Sequence, residues 1–152
     1  VMQKEIISRK QLEATMQRLV CQLVENHKDF SGTAIIGIQK RGVILASKIE
    51  KILEKDYGKK TYVAAVWTLR FSGTTSAGAN TTKIDFPVDN LKVVFVDDVL
   101  HTGRTQRAAL SAINSFGRPS KIELMVLIDR RFSRELPIQP DYKGLQVDVV
   151  EN

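Results

Sequence analysis

The stretch Val93–Thr105, VVFVDDVLHTGRT, decides the fold. Val93, Val94, Phe95 and Val96 are β-branched or aromatic, and so short an apolar run reads as a buried strand. Two adjacent carboxylates, Asp97 and Asp98, stand at its carboxyl edge. Thr102, Gly103, Arg104 and Thr105 follow, and then RAALSAINSFG with helical spacing, capped by Gly117 and stopped by Pro119. A helix N-terminus offers free N–H groups to an anion. Gly103 lets the backbone approach closely, and Thr102 and Thr105 add hydroxyl donors. Two acids beside such a cradle suit a polyhydroxylated, phosphorylated ligand, because they accept from sugar hydroxyls and, usually through water, hold Mg²⁺. The plainer alternative is a strand–helix turn with a chance acid pair.

Upstream, Ser8 to Gln11 has the S-x-x-Q form of a capping box. Leu12, Met16, Leu19, Val20 and Leu23 then recur at helical spacing to about His27, read as a favourable charge at the helix end. Thr33–Ile38, TAIIGI, is a second buried strand. Gln39-Lys40-Arg41-Gly42 joins it to a helix from Val43 to about Lys55. Open α/β sheets bind ligands at the carboxyl ends of their strands, so both junctions can face one crevice. Lys40 and Arg41 then meet a pyrophosphate; otherwise they form an exposed basic loop. Thr61–Leu69 is a third strand, and RFSGTTSAGANTT, residues 70–82, is a long mobile loop suited to a lid, with Arg70 its only charge. Lys121–Ile128 is a fourth buried strand, with DRRFSRE at its carboxyl end, and Leu145–Val150 a last short one. Buried strands alternating with helices make an α/β domain with a mostly parallel sheet flanked by helices.

At 152 residues the chain is read as a single domain, 1–152, with ordinary apolar and charged fractions of 43% and 26%. No stretch is long and apolar enough to span a membrane, and the N-terminus lacks the apolar core of a signal peptide. Cys21, the one cysteine, is read as a small buried hydrophobe, and the cytoplasm is the simplest compartment. Residues 1–75 carry 13 basic and 7 acidic side chains, against 10 and 10 in residues 76–152, so the net +6 lies in the first half. That excess fits a polyphosphate ligand, an RNA surface, or a solvated helix face.

Strand, two acids and T-G-R-T resemble the phosphoribosyl pyrophosphate (PRPP) motif of type I phosphoribosyltransferases. IIGIQKRG, GRPSKIELMVLIDRRFSRELPI and PDYKG, in this order, narrow the resemblance to the pyrimidine-operon attenuator / uracil phosphoribosyltransferase family. The resemblance implies conversion of uracil and PRPP to UMP and pyrophosphate with Mg²⁺. It also implies binding of a messenger-RNA leader when UMP or UTP occupies the site, and a homodimer or tetramer. On this reading Asp97 and Asp98 hold the ribose hydroxyls and the metal. Val99 to Thr105, through Leu100, His101, Thr102, Gly103 and Arg104, form the phosphate loop. Lys40, Arg41 and Gly42 meet the pyrophosphate, and Asp129, Arg130, Leu136 and Pro137 border the base. Arg18, Arg131 and Arg134 face RNA or are solvated arginines.

Three departures qualify the resemblance. The family's lid usually carries a Tyr-Arg-Asp-Asp run, whereas this one reads TLRFSG, keeping Arg70 without the acids. Family members commonly continue past PDY-x-G for a further strand pair, where this sequence ends at Asn152, and an edge left open there would affect assembly. His101 stands where an aromatic residue is usual, and either accepts the uracil proton or stacks as Tyr would. The rival reading is a non-catalytic, nucleotide-sensing RNA-binding regulator that keeps Asp97, Asp98 and the phosphate loop. A phosphoribosyltransferase acting on another base is a third.

Overall fold

The computed structural model describes residues 8–71, 74–77 and 84–147. Its centre is a five-stranded, wholly parallel sheet in the order β2-β1-β5-β6-β7. The strands are β1 (Thr33–Ile38), β2 (Tyr62–Val66), β5 (Lys92–Leu100), β6 (Lys121–Arg130) and β7 (Tyr142–Val147). Helices α1 (Arg9–His27) and α2 (Gln39–Tyr57) cover one face, and α3 (Arg104–Ile113) lies on the other.

Strand alternation explains the two cores. Val94 and Val96 point to the α1/α2 side with Ile35 and Met125, against Leu19, Leu23, Ile49 and Leu53. Val93 and Phe95 point to the α3 side with Ile36, Leu124 and Val126, against Ala109 and Ile113. From β1 the chain crosses through α2 to β2; from β5 it crosses through α3 to β6, in the opposite direction along the sheet. The order therefore reverses between β1 and β5, and the carboxyl ends of these two strands form the switch point at which open α/β sheets take ligands.

Several expectations need correcting. Residues 68–71 and 74–77 form an antiparallel ribbon, β3 (Thr68–Phe71) with β4 (Thr74–Ala77), beside α3; the expected third strand Thr61–Leu69 is thus divided between β2 and β3, and residues 70–71 and 74–77 are paired where a loop was expected. Their threonine-rich composition favours strands. Arg70 pairs with Thr75 in that ribbon. The rest of the expected lid, residues 72–73 and 78–82, lies outside the described residues. Helix α2 begins at Gln39, four residues before the expected Val43, and α3 ends at Ile113, so Gly117 does not cap it. The Ser115 and Phe116 N–H groups instead donate to Ala112 and Ile113, tightening the final turn. The last strand begins at Tyr142, three residues before the expected Leu145.

Two single residues are also corrected. Cys21 is exposed on α1, its Sγ 3.9 Å from Glu25 Oε1. His27 is buried: Nδ1 lies 2.9 Å from Thr33 Oγ1, and Nε2 lies 2.5 Å from Glu123 Oε1. The Tyr142 hydroxyl donates to Glu123 Oε2 at 3.0 Å and accepts from Asn26 Nδ2 at 2.9 Å. This network ties the end of α1 to the amino ends of β1, β6 and β7, because buried polar groups must find partners. The capping box of Ser8 and Gln11 and the extent of TAIIGI match the sequence reading.

Candidate functional site

The acids are part of β5 and do not follow it, since Asp97 pairs with Val126 and Leu100 with Asp129 on β6. Alternation sends their side chains to opposite faces. Asp97 turns toward α3, where Oδ2 accepts from Gln106 Nε2 at 2.8 Å and Oδ1 from the Asp98 N–H at 2.8 Å. It is 4% exposed. Burial, with the Asp98 carboxylate beside it, pushes its carboxyl group up to about 8. Asp98 turns toward α2, where Oδ2 lies 3.3 Å from Arg41 Nη1 and Oδ1 accepts from the Val99 N–H at 2.9 Å. The expected pair of equivalent acids is thus an inner acid held by a glutamine and an outer acid beside a cation.

Arg41 and Lys40 lie in the first turn of α2, both exposed, so the expected basic loop is helical. Gly42 sets the position of that turn: a Cβ there would stand 2.3 Å from the carbonyl oxygen of Val96. Only a glycine lets α2 sit so close to β5 and bring Arg41 to Asp98. Gln39, at the strand–helix corner, has φ +62, a conformation that costs a non-glycine residue free energy and clusters at functional sites.

Beyond β5 the chain turns through His101, Thr102 and Gly103 into α3. Gly103 has φ +94, and a Cβ there would meet Leu136 and Ile138 at 3.3 Å. Thr102 Oγ1 accepts from the Arg104 N–H at 3.3 Å. Arg104 Nε donates to Glu135 Oε2 at 2.7 Å, and Thr105 is half-buried in the first turn of α3. His101 is half-buried, at the carboxyl end of β5 between Asp98 and the Thr102–Gly103 turn. The Leu100 side chain belongs to the α3-side core, so only its backbone is available to a ligand. Val99 is half-buried, and its carbonyl accepts from Gln106 Nε2 at 3.4 Å.

The residues expected at the base and at RNA do not come together. Asp129 is 1% exposed, and its Oδ1 accepts from Arg134 Nη2 at 2.6 Å, which removes its side chain from any base. Leu136 leans on Gly103 and lines a shallow groove with Arg104, Arg107, Ala108 and Ser111. Pro137 lines a second groove on the α3 side, with Phe95 and Leu110. Arg130 is half-buried at the carboxyl end of β6. Arg134 has a side chain only 10% exposed, turned inward against Asp129, so it does not face RNA. Arg18, exposed on α1, donates to the carbonyls of Lys143 and Gly144 at 3.2 and 2.7 Å, which docks α1 on β7. Arg131 is exposed and lies 4.6 Å over the Phe132 ring.

Sequence reading missed Gln106. Its signal was a polar side chain in line with Ala109 and Ile113, the buried stripe of α3. For Mg²⁺, the donor set fits an ion that keeps most of its ligands from water and phosphate. Among the described residues no three His, Cys, Asp or Glu side chains converge to hold a metal. Asp98 has a 26% exposed carboxylate to offer; Asp97, with both oxygens engaged, does not, which corrects the expectation that both acids bind the ion. No helix among the described residues is long and apolar enough to cross a membrane.

The family model described as "Phosphoribosyl transferase domain" matches residues 2–152. The chain is 41% identical over 149 residues to "Bifunctional protein PyrR" of Caldicellulosiruptor bescii, covering 95% of this chain and 81% of that protein. It is 38% identical over 144 residues to the "Pyrimidine operon regulatory protein" of Lactococcus lactis subsp. lactis, covering 95% and 83%. Among solved structures, a hypoxanthine phosphoribosyltransferase from Staphylococcus aureus superposes with a TM-score of 0.80 at 16% identity, over 98% of this chain and 81% of that one. A purine phosphoribosyltransferase from Pyrococcus horikoshii gives 0.73 at 20%, over 93% and 86%.

Proposed function

The chain belongs to the phosphoribosyl transferase domain family, with PyrR proteins as its close relatives, and from that premise we propose a uracil phosphoribosyltransferase that also attenuates transcription of pyrimidine genes. It converts uracil and PRPP to UMP and pyrophosphate, and binds a messenger-RNA leader when UMP or UTP fills the site. The observation that carries the reading is the convergence, at the carboxyl ends of β1 and β5, of Asp98, Arg41 and the Thr102–Thr105 turn.

Each group has a task in that reaction. The C1–O bond to pyrophosphate breaks, positive charge develops on the ring, and uracil N1 bonds to C1 as its proton passes to solvent or to the departing pyrophosphate. Asp98 accepts from the ribose hydroxyls and places negative charge near the ring, where it counts most as the charge develops. Gln106 and Asp97 brace the strand end beneath it. The N–H groups at the start of α3, with Thr102 and Thr105, grip the 5-phosphate. Arg41 and Lys40 draw the pyrophosphate away from C1. Mg²⁺, when bound, supplies further charge neutralisation at the pyrophosphate, with Asp98 as the protein group that fits it. Water exclusion falls to the segment around Arg70. Arg131 beside exposed Phe132 offers a cation and a stacking surface to RNA. The chain acts as one cytoplasmic domain and assembles as a homodimer or tetramer.

The test is UMP formation from labelled uracil and PRPP with Mg²⁺. Turnover that is lost in Asp98→Asn supports the enzyme. No turnover, with UMP binding intact in the same preparation, would replace it with the non-catalytic sensor; turnover of another base would replace the substrate.

A further inference from the structure

We propose that Arg134 is a positioning residue that shapes the anion-binding face of the phosphate loop by holding its carbonyl groups from behind. The inference rests on the PRPP-site reading above and assigns a role to a side chain that touches no ligand.

Three consecutive carbonyls of the loop are held by three consecutive residues. Arg134 Nη1 donates to the Leu100 and His101 carbonyls at 3.4 and 3.1 Å. The Glu135 and Leu136 N–H groups both donate to the Thr102 carbonyl, at 2.9 and 3.0 Å. Nη2 anchors the same guanidinium to Asp129 at 2.6 Å. The fork thus spans from the end of β6 to the end of β5.

Peptide planarity turns this grip into a function. In a trans peptide the C=O and the N–H of the following residue point in opposite directions. No peptide bond of the described chain is cis. Carbonyls 100, 101 and 102 turned toward residues 134–136 therefore turn the N–H groups of His101, Thr102 and Gly103 the other way. Successive N–H groups turned to one side form an anion-binding concavity, continuous here with the N-terminus of α3. Arg134 fixes which way the loop's donors face.

The guanidinium is not placed for its own satisfaction. Its buried Nε finds no hydrogen-bond acceptor among the described residues, which costs free energy that the Nη contacts offset. A planar, five-donor fork can meet a carboxylate and two carbonyls at once; a lysine ammonium, a point donor on a flexible stem, can keep the carboxylate but not the span.

The test is ribose 5-phosphate binding by calorimetry to wild type, Arg134→Lys, and the double variant Asp129→Asn/Arg134→Gln. The double variant removes the buried charge pair together, and so guards against misfolding from an orphaned Asp129. Thermal melts identify the folded variants. The expected result is a Kd raised at least about tenfold in the folded variants, a matching rise in KM for PRPP, and an unchanged KM for uracil. Amide resonances of Thr102 and Gly103 that shift with ligand in the wild type should shift less in Arg134→Lys. Affinity within about twofold of wild type in either folded variant overturns the positioning role while leaving the site reading intact. A wild type that binds no ribose 5-phosphate removes the site reading, and this proposal with it.

Discussion

Replacing Gly42 with alanine should damage catalysis more than stability. The added Cβ would stand 2.3 Å from the Val96 carbonyl oxygen, and its other near neighbours, the Val96 carbonyl carbon at 3.3 Å and Asp97 Cα at 3.4 Å, are also backbone. No rotamer change can relieve that clash. The first turn of α2 must rise from β5 by roughly 0.7 Å to bring the contact out to 3.0 Å. Overpacking of this kind costs roughly 1–3 kcal/mol. Alanine inside a helix recovers up to about 1 kcal/mol relative to glycine. The net is a loss of about 0–2 kcal/mol, or a fall in Tm of no more than roughly 8 °C for a chain of this size. Arg41 moves with the turn, away from Asp98, and displacements near 1 Å cost on the order of a hundredfold in rate. Initial-rate UMP formation, read beside thermal melts of the same samples, should show kcat/KM down on the order of tenfold or more. A Gly42→Ala protein with wild-type kcat/KM and wild-type Tm would refute the claim that this glycine sets the height of α2.

Three further outcomes are expected. The Asp97 carboxyl lies above its ordinary range when folded, so its contribution is fully present below the unfolded carboxylate pKa and is lost as pH rises toward about 8. Asp97→Asn lacks that loss, and its Tm relative to wild type should improve between pH 5 and pH 9; a gap that does not change with pH would contradict the buried acid. Gln106→Leu leaves Asp97 Oδ2 without its 2.8 Å donor and should cost roughly 1–3 kcal/mol in denaturant unfolding, the penalty of an unmet buried polar group; an unchanged midpoint would mean that the pair is incidental. Gly103→Ala forces a side chain into φ +94 against Leu136 and Ile138. It should cost roughly 1–3 kcal/mol and weaken phosphate binding, and full ribose 5-phosphate affinity would show that the turn tolerates a Cβ.

Local patterns carried most of the architecture. The capping box at Ser8, the run TAIIGI and the sequence VVFVDD are each short, strongly patterned stretches whose periodicity and end signals lie within a few residues. The turn between β5 and α3 was legible for the same reason, since Gly103 and two threonines at a strand–helix corner are a local device. The pairing of residues 68–71 with 74–77 was not, because from residue 70 onward a run of mostly small polar residues reads as loop until a partner strand is known.

The roles of charged side chains were decided by tertiary structure. Asp97 and Asp98 are neighbours in sequence, yet strand alternation and the two helices make one an inner acid on Gln106 and the other an outer acid beside Arg41. Arg131 and Arg134 are three residues apart in one basic run; the first is exposed, and the second is turned inward onto Asp129 and the carbonyls at the end of β5. His27 looked like a helix-end charge and is a buried partner of Glu123, 96 residues away. Sequence by itself determined that strands and helices alternate and that a glycine-bearing turn into a helix follows two acids, because backbone preference and periodicity act locally. Which charged group meets solvent, a ligand or a buried counter-charge depended on contacts between distant elements, since burial and pairing are properties of the assembled fold.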